Sequence, residues 1–313
     1  MPLIANDLKR TMLAKPARGQ AFGHHGELVQ GVFEDEHGHL HRGLVTLPID
    51  SLRSTAWFAV DESGDIDVEP RGRDKALRAA QLALAHLGYP SLGGRLKVES
   101  DIPVGHGYGS STADVVASMR AVAAALGARL LPSTSSRLAV AAEVASDAIA
   151  FETEALLFAQ REGVVLEHFG GSLPPFVLVG FKGEAAAGID TLELVPARYS
   201  SEEIQLFRVL RGMVARAVRY QDTRLLGQAA TMSARISQRH LPKPYFDVVV
   251  DIASHYQALG IQVAHSGSLF GLMLDAQSAS REKIHPIIAA LEGRRFHDIG
   301  IFPINVEERT HVL

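Results

Sequence analysis

Apolar residues follow a helical spacing in some stretches of the chain and a strand spacing in others. Asp74–Leu87 predicts a helix, because its apolar residues repeat at helical intervals and Gly88 with Pro90 ends the pattern. A second long helix is predicted over Arg137–Ala150, after a start signal at Pro132. Further helices are predicted near Glu202–Arg219, Thr223–Gln238, Tyr245–Leu259 and Ser280–Leu291.

Short apolar or alternating runs between these helices predict β-strands. They cover Ala17–Phe33, Leu44–Ile49, Ser54–Val60, Arg95–Ser100, Phe176–Phe181, Leu192–Val195, Gln262–His265, Leu269–Leu274 and Arg295–Ile301. Because strands and helices mix along the whole chain, the pattern favours an α+β fold over an alternating, doubly wound sheet. Two consecutive prolines interrupt the chain, so we expect a boundary near Gly170–Pro175 between domains 1–172 and 173–313.

The composition is that of a globular protein. The 313 residues are 47% hydrophobic and 21% charged, with a net charge of −4, and they suffice for two domains. The absence of cysteine excludes disulfides and thiolate metal sites. We expect no secretory signal, because no cationic segment precedes an apolar one, and no membrane span, because no apolar run is long enough. Without a strongly basic segment we expect no nucleic-acid binding, and we predict a cytoplasmic location.

The stretch Asp101–Ala125 combines the features of a phosphate-binding loop. Three glycines stand at alternate positions, Gly105, Gly107 and Gly109, and an Ala/Val-rich helix is predicted directly after them. Glycine permits positive φ and close approach of a ligand, and the free amides at a helix start attract anions. The hydroxyl residues at the junction, which suit an N-cap, are Ser110, Ser111 and Thr112.

The glycine spacing differs from that of the two commonest phosphate-binding motifs. A P-loop requires a lysine after the glycines, which is missing here, and the dinucleotide fingerprint requires a glycine where Ser110 stands. A glycine-rich turn that merely caps the helix is the alternative. One glycine suffices for such a cap, so the three alternating glycines favour a loop that binds a ligand.

Pro103–Ala113 resembles the P-x-G-x-G-L-G-S-S-A signature of the GHMP kinases. With Ile102 before it and Asp114 after it, the segment is most similar to the L-threonine kinases of cobalamin side-chain synthesis. Tyr108 stands where the signature usually has Leu or Met, and His106 where a small residue or Lys is common. The resemblance implies an S5-like N-terminal domain and a ferredoxin-like C-terminal domain with ATP between them. The residues that it implies for ATP binding are Pro103, Gly105, His106, Gly107, Tyr108, Gly109, Ser110, Ser111 and Thr112.

Two acids on the second predicted long helix are candidates for the chemistry of phosphoryl transfer. Glu143 and Asp147 are four residues apart and would share one face of a helix. The rest of that face is apolar and offers no basic partner, although the exposed edge of an amphipathic helix would look similar. The rival acids Glu152 and Glu154, just downstream, are interpreted as exposed.

The spacing of these two acids also resembles the Glu-Gly-x-Pro-Asp arrangement of many GHMP kinases, although Gly and Pro are absent. By that resemblance Ser111 and Glu143 are ligands of Mg²⁺, and Asp147 deprotonates or orients the acceptor hydroxyl. The threonine kinases tend to have Glu-Pro-Thr-Asp instead, which is one residue shorter and places Val144 at the Glu. Asp147 therefore fits both alignments, whereas Glu143 fits one.

A segment near the N-terminus, Gly26–Gly31, is similar to the Cys-Gly-Glu-Leu-x-Gln-Gly of the threonine kinases, with His25 in place of Cys. The resemblance implies that Glu27 and Gln30 bind the ammonium or carboxylate group of an amino-acid acceptor. From the residues alone, both are polar positions on the edge of a strand.

Near the other end of the chain, Ala264–Leu272 resembles the C-terminal motif of the GHMP kinases. The resemblance implies substrate contacts from Ser266 and Gly267. Taken alone, two glycines and two serines between strands are more typical of a turn.

Histidines suggest a rival hypothesis. His24 and His25 lie close in sequence to His37, His39 and His41, and the last three would share one face of a strand, where they could bind Zn²⁺ or Ni²⁺. Acidic residues surround those three, and an exposed flank of a hairpin is favoured. No metal is assigned to them.

The sequence thus predicts a kinase that uses ATP and Mg²⁺ to phosphorylate a small hydroxy amino acid, L-threonine before others. Homoserine, serine or a modified analogue is the near alternative for the acceptor. A GHMP homologue that binds a nucleotide without catalysis and a metal sensor are alternatives of different classes, and the set of Ser111, Glu143 and Asp147 favours catalysis over both. The sequence leaves the oligomeric state open, with a homodimer as one option.

Overall fold

The computed structural model describes residues 16–183, 197–265 and 267–306. Its strands are β1 Ala17–Glu34, β2 Leu40–Asp61, β3 Ile66–Glu69, β4 Gly93–Ser100, β5 Glu154–Ala159, β6 Val164–Ser172, β7 Phe176–Lys182, β8 Gly260–Val263, β9 Leu269–Asp275 and β10 His297–Ile304. Its α-helices are α1 Asp74–His86, α2 Ser110–Ala125, α3 Pro132–Glu143, α4 Ser201–Tyr220, α5 Thr223–Ser237, α6 Phe246–His255 and α7 Arg281–Glu292. A short 3₁₀ helix, Ala148–Phe151, follows α3. The fold is α+β, as predicted.

The ten strands form one sheet, whose main path runs β10-β7-β9-β8-β1-β2-β4-β3, while β5 pairs with β2 and β6. β3 and β4 are parallel, and the other described pairs are antiparallel. β1 joins the strands of the first half of the chain to those of the second half, through the pairing of Glu27 with Val263. Strands from distant parts of the sequence therefore meet at Glu27.

Helix α2 packs against β1 and β2 and is buried nearly all round. Thirteen of its sixteen residues are buried, most of them Ala, Val or Ser. These small side chains bring the helix close to the sheet: a Cβ at Gly19 of β1 would lie 2.2 Å from the carbonyl oxygen of Ala117. The start of α2, with the glycine loop that precedes it, is thus held by the core.

Other helices cover the rest of the sheet. α4 and α5 enclose a core that contains Phe33, Leu47 and Phe207, whereas α6 and α7 enclose one that contains Phe181 and Phe270. Most predicted elements are confirmed, with ends shifted by a few residues. Among the described residues, no helix is both long and apolar enough to cross a membrane.

The predicted strands Leu44–Ile49 and Ser54–Val60 are parts of the single strand β2. Opposite them, Phe22 pairs with Arg53 and the next residue, Gly23, pairs with Ile49, so the three residues between form a bulge. A bulge bends a strand without ending it. The sequence analysis interprets this short polar interruption as a connection between two separate strands.

The prediction missed β3, β5 and β6. β3 is four residues long and alternates half-buried with exposed positions, and eight of the nine residues of β6 are half-buried or exposed. Edge strands of this kind lack the continuous apolar pattern on which the prediction relied.

The predicted continuation of the second long helix to Ala150 is wrong. α3 ends at Glu143, and Val144 takes a φ of 74°, which ends the helix although no glycine or proline marks the position. The chain is then held from outside the helix, because the Ser146 amide donates to the Gln160 carbonyl over 2.9 Å. Glu143 and Asp147 therefore do not share a helical face.

Two predictions about organisation stay predictions. Gly170–Pro175 lies at the connection of β6 and β7, but one sheet extends over both sides of it, and the division into domains 1–172 and 173–313 is untested. The predicted strand Leu192–Val195 lies outside the described residues.

Candidate active site

A cleft of about 840 Å³ opens over the edge of β1 and the start of α2. Residues of the glycine loop and the start of α1 line one end of it, residues near Tyr199 and His240 line the other, and the segment after α3 also contributes to the lining. Of the predicted site residues, those that line it are Glu27, Gln30, Pro103, Gly105, Gly107, Tyr108, Gly109, Ser110, Ser111, Thr112, Glu143 and Asp147.

The glycine loop has the backbone that its sequence predicts. Gly105, Gly107 and Gly109 have φ values of 85°, 101° and 70°. Gly109 itself is the N-cap of α2, and no side chain caps the helix. The expectation that Ser or Thr would be the N-cap is therefore wrong, and the amides of the first turn have no side-chain partner at the cap.

The hydroxyls at the start of α2 bind the last residue of α3 instead. Ser111 Oγ donates to Glu143 Oε2 over 2.7 Å, and Thr112 Oγ1 donates to Glu143 Oε1 over 2.8 Å. Glu143 is buried, and burial raises the pKa of its carboxyl group, against the effect of these two hydrogen bonds. The arrangement brings a carboxylate to the helix start that carries the free amides.

Asp147 faces the cleft beside a buried histidine of β1. His24 Nε2 lies 2.9 Å from Asp147 Oδ2, and the exposed fractions of the two side chains are 3% and 19%. Burial lowers the pKa of His24, but the charge of Asp147, its hydrogen bond and the charge of Glu27 outweigh burial and raise the pKa above its usual value of 6.5. The contact with Asp147 therefore favours the protonated form of the His24 imidazole.

Glu27 forms a second buried acid–histidine pair. Its Oε2 accepts a hydrogen bond of 3.0 Å from the backbone amide of His265 and lies 3.2 Å from His265 Nδ1. Burial raises the pKa of Glu27, but the hydrogen bond and charge of His265 outweigh it, and the net pKa is lowered. Glu27 is thus an anion at the base of the cleft and ties β1 to the turn between β8 and β9.

Positive side chains stand at both ends of the cleft. Arg73, near the glycine loop, pairs with the buried Asp114, which also accepts a hydrogen bond of 2.6 Å from Ser54 Oγ. At the other end Arg42 Nη2 donates to the carbonyl oxygen of Ala197 over 2.8 Å. Both ends therefore offer charge to anionic groups.

His25, next in sequence to His24, points away from the cleft into the protein. Its Nδ1 lies 2.7 Å from Gln262 Oε1, and its ring packs edge-on against Tyr108, 5.4 Å between centroids. Burial lowers the pKa of His25 to about 4. It is a neutral core histidine, whereas its neighbour in sequence faces a carboxylate.

Some predicted site residues lie elsewhere. Gly267 packs against the backbone of the glycine loop, since a Cβ added there would lie 2.3 Å from the His106 carbonyl oxygen. Neither Gly267 nor His106 lines the cleft. Ser266 lies outside the described residues. The rival acids Glu152 and Glu154 are exposed, as predicted, and pair with Arg120 and His168.

The three histidines of the rival hypothesis lie on the β1–β2 hairpin. His37 and His39 are exposed, and their backbone amides donate to Asp35 Oδ1 over 2.9 Å and 2.8 Å. His41 Nε2 lies 3.2 Å from the other oxygen of the same carboxylate. They are remote in the fold from His24, which belongs to the cleft.

Sequence reasoning missed several residues of the cleft, among them His24 as a partner of Asp147, His265, Arg42, Arg73 and His240. His24 and Asp147 are 123 residues apart, and Glu27 and His265 are 238 apart. Residues so far apart in the sequence leave no local spacing pattern from which such pairs could be predicted. The one available signal was that His265 lies within Ala264–Leu272, the segment that resembles the C-terminal motif.

Comparison with known proteins identifies the class. The family model for the GHMP kinases N terminal domain matches residues 74–153. The L-threonine kinase of Salmonella typhimurium is 32% identical over 265 residues, 80% of each chain, and that of Citrobacter freundii is 31% identical over 80% of this chain and 83% of its own. The chain belongs to the GHMP kinase superfamily. It is an ATP-dependent phosphotransferase with an alcohol group as acceptor.

Solved structures confirm the fold. A homoserine kinase from Cytophaga hutchinsonii superposes with a TM-score of 0.66, at 15% identity, over 92% of this chain and 95% of its own. The mevalonate kinase of Methanococcus jannaschii gives 0.62, at 16% identity, over 92% and 96%. At sequence identities this low, the structural similarity supports a shared fold and nothing more specific.

The burial of His25 predicts a pH dependence of stability. The folded protein holds His25 neutral down to a pKa of about 4, so the unfolded chain binds more protons between pH 6.5 and 4. We expect this residue alone to lower the free energy of unfolding by about 3 kcal/mol as the pH falls through that range.

Urea unfolding at several pH values, on the wild type and on His25→Cys, measures this contribution as the difference between two slopes. The exposed His285→Cys on α7 is the control and should keep the wild-type slope. Parallel pH dependences for the wild type and His25→Cys would contradict the assignment.

Proposed function

We propose that this kinase transfers the γ-phosphoryl group of ATP to the side-chain hydroxyl of an amino acid, and that the acceptor is L-threonine. The observation that carries the proposal is the meeting, in one cleft, of an uncapped helix start, the Ser111–Glu143 pair and Asp147. The two relatives named L-threonine kinase, which match over 80% of the chain, support threonine and thus the product O-phospho-L-threonine.

The end of the cleft at the glycine loop is assigned to the phosphates of ATP. The amides of the first turn of α2 lie at a helix start, where the peptide dipoles favour negative charge. Arg73 and Lys75, both in the cleft lining, add positive charge. Phosphoryl transfer requires mainly positioning and charge neutralisation, which these groups supply.

We assign Mg²⁺ to Ser111 and Glu143. The donor set fits, because a carboxylate and a hydroxyl are oxygen ligands of the kind that Mg²⁺ prefers. The raised pKa of the buried Glu143 also marks a carboxyl group whose ionised form a cation would stabilise. When bound together with ATP, Mg²⁺ neutralises charge on the phosphoryl oxygens.

The acceptor is assigned to the other end, between Asp147 and β2. Asp147 accepts a hydrogen bond from the acceptor hydroxyl, and it either removes the proton as a base or orients the hydroxyl. Glu27, an anion at the base of the cleft, suits the ammonium group, and Gln30 with Arg42 suits the carboxylate. An amino acid with a side-chain hydroxyl carries all three groups: the hydroxyl, the ammonium and the carboxylate.

The first experiment measures acceptor-dependent release of ADP from Mg-ATP. L-threonine, L-serine, L-homoserine, mevalonate and a polyol are compared, L-valine serves as the isosteric control without a hydroxyl, and products are identified by mass. We expect turnover with L-threonine above the others and none with L-valine. Preference for L-serine or L-homoserine would replace threonine as the acceptor, and preference for mevalonate would contradict an amino-acid kinase.

Asp147→Asn removes the carboxylate that faces the acceptor and keeps its shape. We expect turnover to fall by about 10²–10⁴, the usual effect of losing an acid–base group, while ATP binding stays near that of the wild type. Glu152→Gln, an exposed acid at the end of the neighbouring 3₁₀ helix, is the matched control. Equal turnover in Asp147→Asn and the wild type would remove Asp147 from the mechanism.

Glu143→Gln keeps hydrogen-bonding capacity toward Ser111 and Thr112 but removes the charge. The Mg²⁺ concentration for half-maximal turnover is expected to rise by about 10-fold or more, in the range seen when metal sites lose a supporting group. A titration of turnover with Mg²⁺ at saturating ATP tests this. An unchanged titration curve would place the metal ligand elsewhere.

A further inference from the structure

We propose that His24 is a positioning residue for phosphoryl transfer: its side chain holds the Asp147 carboxylate at a fixed place beside the start of α2. The inference rests on the proposed role of Asp147 at the acceptor hydroxyl. His24 lies outside the motifs on which the family resemblance depends.

The contact itself is specific. His24 Nε2 lies 2.9 Å from Asp147 Oδ2, and within the described ranges His24 is the group that hydrogen-bonds this carboxylate. Asp147 directly precedes the 3₁₀ helix but makes no cap hydrogen bond to it. Without His24 the carboxylate would be free to rotate about its side-chain torsions. With Oδ2 engaged, Oδ1 is the oxygen left for the cleft.

The position of His24 is in turn fixed by the glycine loop. The His24 amide donates to the Tyr108 carbonyl over 3.0 Å. The ring fills the space that a side chain at Gly109 would occupy, since a Cβ there would lie 2.1 Å from His24 Cδ2. One buried residue thus contacts both the N-cap of α2 and the carboxylate at the acceptor end. His24 therefore sets the distance between the glycine loop and Asp147.

The charges around His24 favour the same arrangement. Asp147 and Glu27 face the ring with negative charge, and the neighbouring His25 is neutral because burial lowers its pKa to about 4. Attraction between these charges therefore holds the Asp147 carboxylate against the His24 ring.

The first test separates kcat from KM in two variants of His24. His24→Ala removes the contact, whereas His24→Gln keeps an N–H donor at a similar reach on a neutral, more flexible side chain. We expect kcat to fall by about 10- to 100-fold in His24→Ala and by less in His24→Gln, with the KM for ATP near the wild-type value. His285→Gln, exposed on α7, should leave both constants unchanged.

The second test asks whether His24 acts through Asp147. In the Asp147→Asn background, His24→Ala should cause little further loss of kcat, because the group that it positions is already lost. The imidazole NMR titration gives a readout independent of turnover: the pKa of His24 should lie above 6.5 in the wild type and fall in Asp147→Asn. A merely structural histidine would give equal losses of kcat in both backgrounds.

The assays use whichever acceptor gives the fastest turnover, so a failure of threonine as substrate does not affect them. Wild-type kcat in His24→Ala would overturn the proposal. So would a loss of kcat of the same size in the presence and absence of the Asp147 carboxylate, or a His24 pKa that Asp147→Asn leaves unchanged. If His24→Ala does not fold, His24→Gln carries the same comparison in both backgrounds.

Discussion

The attachment of β1 to the glycine loop is the constraint on which the site depends. Two backbone hydrogen bonds make it, from the His24 amide to Tyr108 and from the Gly26 amide to Gly107, of 3.0 Å and 3.1 Å. The same short segment of β1 carries Glu27, which binds the turn after β8. Two parts of the chain that are distant in sequence, the glycine loop and the turn after β8, are thereby placed within hydrogen-bonding distance of one strand. The cleft exists because these attachments hold its floor and its glycine loop together.

Three of the buried or half-buried acids of the cleft differ in their partners. Glu27 is paired with His265 and has a lowered pKa, Glu143 is held by neutral hydroxyls and has a raised pKa, and Asp147 is in contact with His24. Environments that differ in this way give chemically identical groups different functions. Under the proposed function, carboxyl groups thus serve as a constant anion, as a ligand for a cation and as an oriented acceptor of a hydrogen bond.

Local chemistry explains what the sequence could predict. The glycine loop and α2 were predictable because positive φ, hydroxyl placement and an Ala/Val helix are recorded in consecutive residues. Glu143 and Asp147 were singled out for a face that they do not share, and they reach one cleft because α3 ends at Glu143. After the end of α3, the Ser146 amide donates to the Gln160 carbonyl, a tertiary contact without a local signal. Pairs such as His24 with Asp147 depend on the sheet register and could not be found from spacing.

The packing of α2 bears on how acceptor choice can change in proteins of this fold. Its small buried side chains leave no room for larger ones, so substitutions along it would displace the glycine loop. The end of the cleft proposed for the acceptor is different, because Gln30, Arg42, Tyr199 and His240 come from separate elements and are only partly buried. Substitutions there would leave the packing of α2 intact. Under the proposed function, the choice of acceptor could therefore change while the helix start proposed for the nucleotide stays the same.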